Sequence, residues 1–498
     1  MEKHMQFVHD ILDISAMDFP EKDAIITSEH SINYGCLREK SMKVATYLKS
    51  IGVGKGDRVL ILLPNSVETV YLLMAISRLG AIAVILNQGT SEYNLKYIIN
   101  DCKPKLVIHK DSLLIDLKLS SVISIDKIEF ILADNSTYCN IKENFNSKVP
   151  ALIIYTSGST GEPKGVLSSH DNIVFCTKAI SNQLKLDKSD IIGNFLPFSF
   201  DYGLYQVFLS LYNKATLAIG DSEEAGIQLV KHIKEWNVTV FPSMPHLTQG
   251  FLKLMSRYKD DLKVRIITNT GERLPSKYVH KIKEFLPGCN IFLMYGLTEC
   301  KRVSILNPEL IKEKPESVGR PLEDVECFII DENHKILPPG QTGQLVVKGP
   351  NVMLGYWNNT ALNKKKYATW KDGNVVLYTG DLFKQDEEGY LYYQGREDAM
   401  YKQNGFRISV VEIEEAANCL EFVENAVLIP PDKDYRIAFL FVKTHMSHEE
   451  IKRGLRYRLE EYKIPNIVAL SDFPISLNKK IDKRRLREIR KDFIDVKL

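Results

Sequence analysis

At 498 residues the chain exceeds the size at which one hydrophobic core keeps growing, so two or more domains are expected. Apolar content of 44% and charged content of 26% fit a globular protein, and a formal net charge of +2 provides no global field toward nucleic acid or a membrane surface. The eight cysteines form no C-x-x-C pair, Met1 to Phe7 has no signal-peptide pattern, and the most apolar stretch, Val70 to Leu86, carries Arg78 and Gly80 and falls short of a span; a cytoplasmic chain with free thiols and no membrane insertion is expected.

Residues 1 to 150 alternate two periods. Phe7 to Met17 has helical spacing, Asp23-Ala-Ile-Ile26 reads as a short strand, and Ile32-Asn-Tyr-Gly-Cys-Leu37 opens a helix running to Ser50. Asp57 to Leu63 is a strand stopped by Pro64, Ser66 to Leu79 a helix, and Ala81 to Leu86 and Lys105 to Ile108 further strands. Strands separated by helices predict an α/β fold, with parallel-type sheets and helices on their faces. Residues 110 to 150 are polar and weakly patterned, and an irregular connection is expected there.

The apolar run Ala151-Leu-Ile-Ile154 predicts a buried strand leading into Tyr155-Thr-Ser-Gly-Ser-Thr-Gly-Glu-Pro-Lys-Gly-Val166. Glycines let backbone N–H groups close on an anion, hydroxyls add donors, and a lysine adds a mobile positive charge. Thr156, Ser157, Gly158, Ser159, Thr160, Gly161 and Lys164 are therefore candidates to hold phosphates. No Walker A spacing can be read here. The plainer reading, a flexible Gly/Ser surface loop, leaves the preceding strand and Lys164 unexplained.

This stretch resembles the phosphate loop of the adenylate-forming ligases: acyl-CoA synthetases, luciferases and the adenylation domains of peptide synthetases. Further matches follow in that family's order, so the resemblance covers nearly the whole chain, and Ile32 to Leu37 is similar to an element of its first subdomain. After the loop, Ser169-His-Asp-Asn172 caps a helix from Ile173 to Leu184. In Asn194-Phe-Leu-Pro-Phe-Ser-Phe-Asp-Tyr-Gly203, Asp201 sits among aromatic residues, a costly setting unless a cation pairs with it. On residue type alone Asp201 is either a helix N-cap or a counter-ion for a substrate amine. The resemblance implies the second, because the peptide-synthetase branch has Phe-Asp here and its Asp holds the amino group of the amino acid.

Val238 to Pro245 reads as a strand and turn, Arg265 to Thr268 as a strand, and Asn269-Thr-Gly-Glu-Arg-Leu-Pro275 as the turn after it. Ligands of open α/β sheets sit at such strand ends. By resemblance adenine packs there, near Gly271 and Glu272. The strand Ile291 to Met294 ends in Tyr295-Gly-Leu-Thr-Glu299, similar to the family's YGxTE. That resemblance implies base stacking on Tyr295, with Gly296 beside it, a phosphate contact from Thr298 and Mg²⁺ on Glu299. Leu293 stands where the peptide-synthetase branch often has Asn. Pocket residues implied by resemblance are Tyr202, Tyr205, Val240, Thr268, Thr270, Met294, Arg302 and Val303. If Arg302 lines the pocket, it reads a second polar or acidic group or pairs with Asp201.

Gly319-Arg-Pro321 and Gly340 to Pro350 have the turn-and-strand pattern of a small β subdomain. Val352-Met-Leu-Gly-Tyr-Trp357 is similar to the family's GYW element and Tyr378-Thr-Gly-Asp-Leu382 to its TGD. Asp381 can accept from both ribose hydroxyls, although an isolated T-G-D also simply closes turns. Gly395 to Ser409 resembles the family's hinge. That implies Arg396 on ribose or phosphate, Asp398 as the hinge, and Lys402 and Gly405 along the path of a pantetheine arm. Phe473 to Leu486 resembles the family's late lysine motif, in which Lys480 is the aligned catalytic residue, Asp482 keeps the spacing and Lys479 replaces the usual glycine. A solvated basic helix accounts for Arg484 to Lys491 but not for that spacing.

The resemblance implies a large N-terminal domain, 1–397, with parallel-type sheets, helices and a small β subdomain. A small mobile α+β C-terminal domain, 398–498, then carries the catalytic lysine. It also implies ATP and Mg²⁺, formation of an acyl-adenylate with release of pyrophosphate, and transfer to the phosphopantetheine thiol of a carrier protein or to CoA. No carrier-like or condensation-like segment is left over, so a separate partner is expected to supply that thiol. The acid is expected to be an amino acid, with the CoA thioester of a non-amino acid as the alternative. A non-catalytic nucleotide-binding protein of this fold is disfavoured because Glu299, Asp381 and Lys480 are all present. Near-neutral charge and no aromatic interleaving in the basic tail disfavour a nucleic-acid partner.

Overall fold

A computed structural model gives the fold and describes residues 5–110, 121–133, 141, 144–156, 162–221, 227–258, 262–271, 274, 276–396, 400–403, 406–432, 436–474 and 481–493. The chain divides into two compact units. Met1–Gln88, Cys102–Tyr155 and Gly165–Glu397 form the first; Gly89–Asp101, Thr156–Lys164 and Asp398–Leu498 form the second. Besides the C-terminal stretch, the second unit thus takes in two segments from earlier in the chain.

In the first unit, short runs of β-branched and leucine residues become parallel strands, which need both faces covered. Ile82–Leu86 pairs in parallel with Arg58–Leu62 and Pro150–Thr156, and Leu106–His109 extends that sheet. Seven strands make it up, ending in Gly355–Tyr356 antiparallel to Lys164–Ser169. A nine-stranded sheet has Ile191–Asn194, Val240–Ser243, Ile266–Asn269 and Asn290–Leu297 as parallel neighbours, followed by the antiparallel Cys300–Ile305. Helices Val8–Asp18, Val67–Arg78, His170–Leu184 and Asp201–Tyr212 bury apolar faces in one continuous core with both sheets. Antiparallel strands Glu326–Ile330, Thr342–Lys348, Tyr367–Thr369, Val375–Gln385 and Leu391–Arg396 form a separate five-stranded sheet.

Two elements differ from the sequence expectation. Val122–Ser124 is a strand and Ile125–Ala133 a helix within the stretch expected to be an irregular connection. Ile125, Ile128 and Leu132 recur there at the helical period, Ile125 and Ile128 buried and Leu132 packed against the same core, but the run is short and its flanks are polar. Glu92–Cys102 is also a helix. Its buried apolar residues, Leu95, Ile98, Ile99 and Cys102, recur at the helical period.

The second unit shows period-2 alternation on a three-stranded sheet. Asn425–Ile429 runs antiparallel to Phe439–Lys443, which runs parallel to Asn466–Leu470. Ala426, Leu428, Leu440 and Val442 pack with Ile413 of helix Val410–Asn418 and with Ile451 and Leu455 of helix His448–Arg458. Val427, Ile429, Phe439 and Phe441 face the other way and pack with Leu486 of helix Lys483–Asp492. Buried Lys463 pairs with Glu412 at 2.6 Å and Glu460 at 2.8 Å, and Asn94 of helix Glu92–Cys102 donates to Glu460. Among the described residues no helix is long and apolar enough to cross a membrane.

Candidate active site

The nucleotide-side candidates in the first unit gather at the carboxyl end of Asn290–Leu297. Tyr295 is buried there, and its hydroxyl donates to Asp381 Oδ2 at 2.6 Å. Asp381 lies in Val375–Gln385, and strand register places the Arg396 backbone opposite it. The Arg396 side chain is outside the described residues. Phe383 closes edge-on against the Tyr295 ring at 4.6 Å. Thr298 and Glu299 occupy the following turn, Thr298 half-buried and Glu299 buried. Glu299 Oε1 accepts from the Tyr356 hydroxyl at 2.6 Å. Gly296 has a packing reason: a Cβ there would lie 2.8 Å from the Arg302 nitrogen. Gly271, at φ +86°, turns the chain after Ile266–Asn269, a conformation that favours glycine.

Other expected positions are placed singly or not at all. Thr156 ends one strand and Lys164 begins another. Lys402 is half-buried in the hairpin strand Met400–Gln403, opposite Arg407. Ser157, Gly158, Ser159, Thr160, Gly161, Glu272, Asp398, Gly405 and Lys480 lie outside the described residues.

The residues expected to line an acid pocket gather around the first turn of Asp201–Tyr212. Asp201 is not the capping residue, since Phe200 occupies that place. Its carboxylate faces Lys301 Nζ at 3.3 Å. Sequence reading weighed Arg302 as the internal partner; the structure gives that position to Lys301, its neighbour. Strand alternation normally sends adjacent side chains to opposite faces. Arg302 adopts a left-handed φ of +48°, and that break turns both cations to one aromatic wall. Lys301 Nζ lies 4.8 Å from the Tyr205 ring centre and 5.5 Å from that of Tyr202, and the Arg302 guanidinium lies 5.4 Å from Tyr202. Among the described residues, the Arg302 Nε is buried without a hydrogen-bond partner.

Tyr202 is locked in place, because its hydroxyl sits 2.6 Å from Thr268 Oγ1 and donates to the Thr268 carbonyl at 2.9 Å. Burial pushes its phenol up to about 12. Burial, reinforced by Arg302 and opposed by Asp201, pulls the Lys301 ammonium down to about 8. Burial lowers the Arg302 guanidinium as well. Thr270, Met294 and Val303 are buried nearby in sequence. Val240 stands apart: it pairs with Ile266 and Ile192, two residues short of the level of Thr268, which pairs with Pro242.

Residues 12–357 match the AMP-binding enzyme family. The chain belongs to it. As an AMP-binding enzyme it shares 29% identity over 497 residues with tyrocidine synthase 3 of Brevibacillus parabrevis, covering 96% of this chain and 8% of that protein. The chain therefore spans a small part of the curated relatives it matches. VinN, solved in complex with L-aspartate, is 34% identical with a TM-score of 0.72, over 78% of this chain and 98% of VinN. The o-succinylbenzoate-CoA synthetase of Bacillus subtilis is 26% identical. A double mutant of it bound to a product analogue gives a TM-score of 0.84, covering 96% of this chain and 98% of that one. Its complex with ATP and a magnesium ion gives 0.72, covering 96% and 99%. The chain is thus an enzyme of the adenylate-forming superfamily, whose members use ATP.

Does this AMP-binding enzyme fit Mg²⁺? Glu299 offers a hard oxygen donor fixed by a hydrogen bond. Among the described residues no group of three or more His, Cys, Asp or Glu could cage a metal. A single carboxylate suits Mg²⁺, which keeps its waters and takes its remaining ligands from substrate phosphates. Glu299 fits that role.

Proposed function

We propose that this enzyme activates an amino acid bearing a second carboxylate, of the aspartate type, as its acyl-AMP, and then passes the acyl group to the phosphopantetheine thiol of a separate carrier protein. The observation that carries this is the charge at the Tyr202 wall: two buried cations, Lys301 and Arg302, against one carboxylate, Asp201. A buried cation without an anion is costly. A substrate side-chain carboxylate near Arg302 supplies one, and the substrate amine shares Asp201 with Lys301. The L-aspartate complex of VinN supports the same reading.

The other substrate carboxylate attacks the α-phosphorus of ATP, and pyrophosphate leaves. No protein nucleophile is required, so positioning and charge neutralisation do the work. In this reading Lys164 and the loop Thr156 to Gly161 hold phosphates, and Tyr295, Gly271 and Glu272 hold adenine. Asp381 and Arg396 take the ribose, Thr298 an oxygen of the α-phosphate, and Lys480 bridges carboxylate and phosphate. Mg²⁺ on Glu299 supplies charge neutralisation on the phosphates. Residues 398–498 form a C-terminal domain hinged at Asp398 on the N-terminal domain 1–397, and the thiol arrives past Gly405 and Lys402.

A second reading is favoured by one observation. Lys301 already neutralises Asp201, which suits an acid without an amine, with CoA as acceptor. ATP–pyrophosphate exchange with L-aspartate, L-asparagine and succinate separates the two. Wild type is expected to prefer aspartate over both analogues by tenfold or more, in line with stranded buried charges, and Asp201→Asn to lose the preference over succinate. Succinate equal to aspartate in wild type supports the second reading, and best exchange with L-asparagine overturns both.

A further inference from the structure

We infer, resting on the proposed role of Glu299 toward Mg²⁺, that Tyr356 is a positioning residue for the Glu299 carboxylate. The Tyr356 hydroxyl donates to Glu299 Oε1 at 2.6 Å, and the two residues are 6% and 8% exposed. Hydrogen bonds to a carboxylate in such a site are short, strong and directional.

Tyr356 is itself held from several sides. Its backbone N–H donates to Asn363 Oδ1 at 2.7 Å, and Asn363 Nδ2 donates back to its carbonyl at 2.9 Å. Gly355–Tyr356 pairs antiparallel with Leu167 and Val166, and the Trp357 N–H donates to the Gly165 carbonyl at 2.7 Å. The Tyr367 ring stands edge-on at 5.9 Å and restricts rotation of the phenol. Only glycine fits before it, because Gly355 has φ +126° and a Cβ there would lie 2.8 Å from Asn363 Oδ1. The Met353 N–H also donates to the Glu299 carbonyl at 3.0 Å. The short strand thus grips Glu299 at both backbone and carboxylate, and the phenol sets which way the second carboxylate oxygen points.

Tyr356→Phe removes the donor with little change of volume. Outer partners of metal ligands typically contribute 10–100-fold in metal affinity or activity. The variant is expected to raise the Mg²⁺ concentration that half-saturates pyrophosphate exchange by about tenfold or more. Mn²⁺ binding in the presence of ATP, read by electron paramagnetic resonance, should weaken in parallel, while AMP affinity without metal and the melting temperature stay at wild-type values. In a Glu299→Gln background the same change should add nothing. Wild-type Mn²⁺ binding by Tyr356→Phe, or an equal shift with Gln at 299, overturns the inference. A loss of AMP affinity equal to the loss of Mn²⁺ affinity also overturns it, by showing a merely structural role.

Discussion

Lys301 changes how Asp201 must be understood. A carboxylate buried among aromatic rings is costly unless a cation pairs with it. The protein supplies a partner of its own at 3.3 Å. Removing either member of such a pair leaves an uncompensated charge at a cost of about 3–5 kcal/mol, so a charge-retaining substitution is the cleaner probe. Burial holds Lys301 at about 8, which places its loss of charge just above neutrality. Below pH 8 the ammonium is present and the proposed dicarboxylate substrate would meet two cations; above it only Arg302 remains charged. The KM for L-aspartate in pyrophosphate exchange is therefore expected to rise as pH climbs through 8, with the KM for ATP unaffected over the same range. Lys301→Arg, which stays charged, should flatten that rise. A wild-type KM that is level between pH 7 and 9.5 would remove Lys301 from substrate recognition.

At the scale of elements, the hairpin Asn290–Leu297 with Cys300–Ile305 carries most of the described site. Its register slips between Tyr295 and Leu297, at Gly296. A Cβ at Gly296 would approach the Arg302 nitrogen to 2.8 Å and its Cα to 3.0 Å, and backbone atoms yield poorly to such contacts. Gly296→Ala is expected to lower stability by about 1–3 kcal/mol through overpacking. It should also displace Arg302, raising the KM for the acid more than the KM for ATP; equal effects on both would mean that the hairpin does not set the acid pocket. This hairpin also marks how far residues alone could be read. Tyr295, Glu299 and Asp381 carry recognisable local patterns, and the structure brings Tyr295 and Asp381 into hydrogen-bond contact. Lys301 has no such pattern, since the left-handed turn at Arg302 that aims it is invisible in a strand-like stretch. The level of Val240 along its strand depends on register, which pairing with Ile266 fixes only in three dimensions. Helix Ile125–Ala133 is hard to read because its helical period, Ile125, Ile128 and Leu132, is a short run between polar flanks.

The two units should respond oppositely to acid. In the larger one, the helix Val8–Asp18 is fastened by imidazoles: the Val8 N–H donates to His170 Nδ1 at 3.2 Å, and His9 Nδ1 lies 3.0 Å from Ser77 Oγ. Burial, then the Arg78 charge, lowers His9 to about 3, with Asp13 opposing; burial lowers His170 to about 4. In the unfolded chain each takes a proton below about 6.5. The unfolded state therefore binds more protons between pH 6.5 and those folded values, and stability falls on acidification by about 1.4 kcal/mol per unit for each histidine. In the smaller unit, burial raises Glu412 to about 7 against the pull of Lys463. Here the folded state binds the extra proton, so this contribution is fully present below the ordinary value near 4.5 and is lost as pH rises through 7. All three tryptophans, Trp236, Trp357 and Trp370, belong to the larger unit, so their fluorescence follows it alone. Between pH 7 and 5 the urea midpoint read by tryptophan should fall, with about 4 kcal/mol of stability lost from the two histidines. His9→Asn and His170→Asn should each recover about half of that slope. Exchange protection of the amides in Phe439–Lys443 should hold or rise over the same interval. A tryptophan midpoint that is flat from pH 7 to 5 would show that the two imidazoles take up protons in the fold as readily as in the unfolded chain.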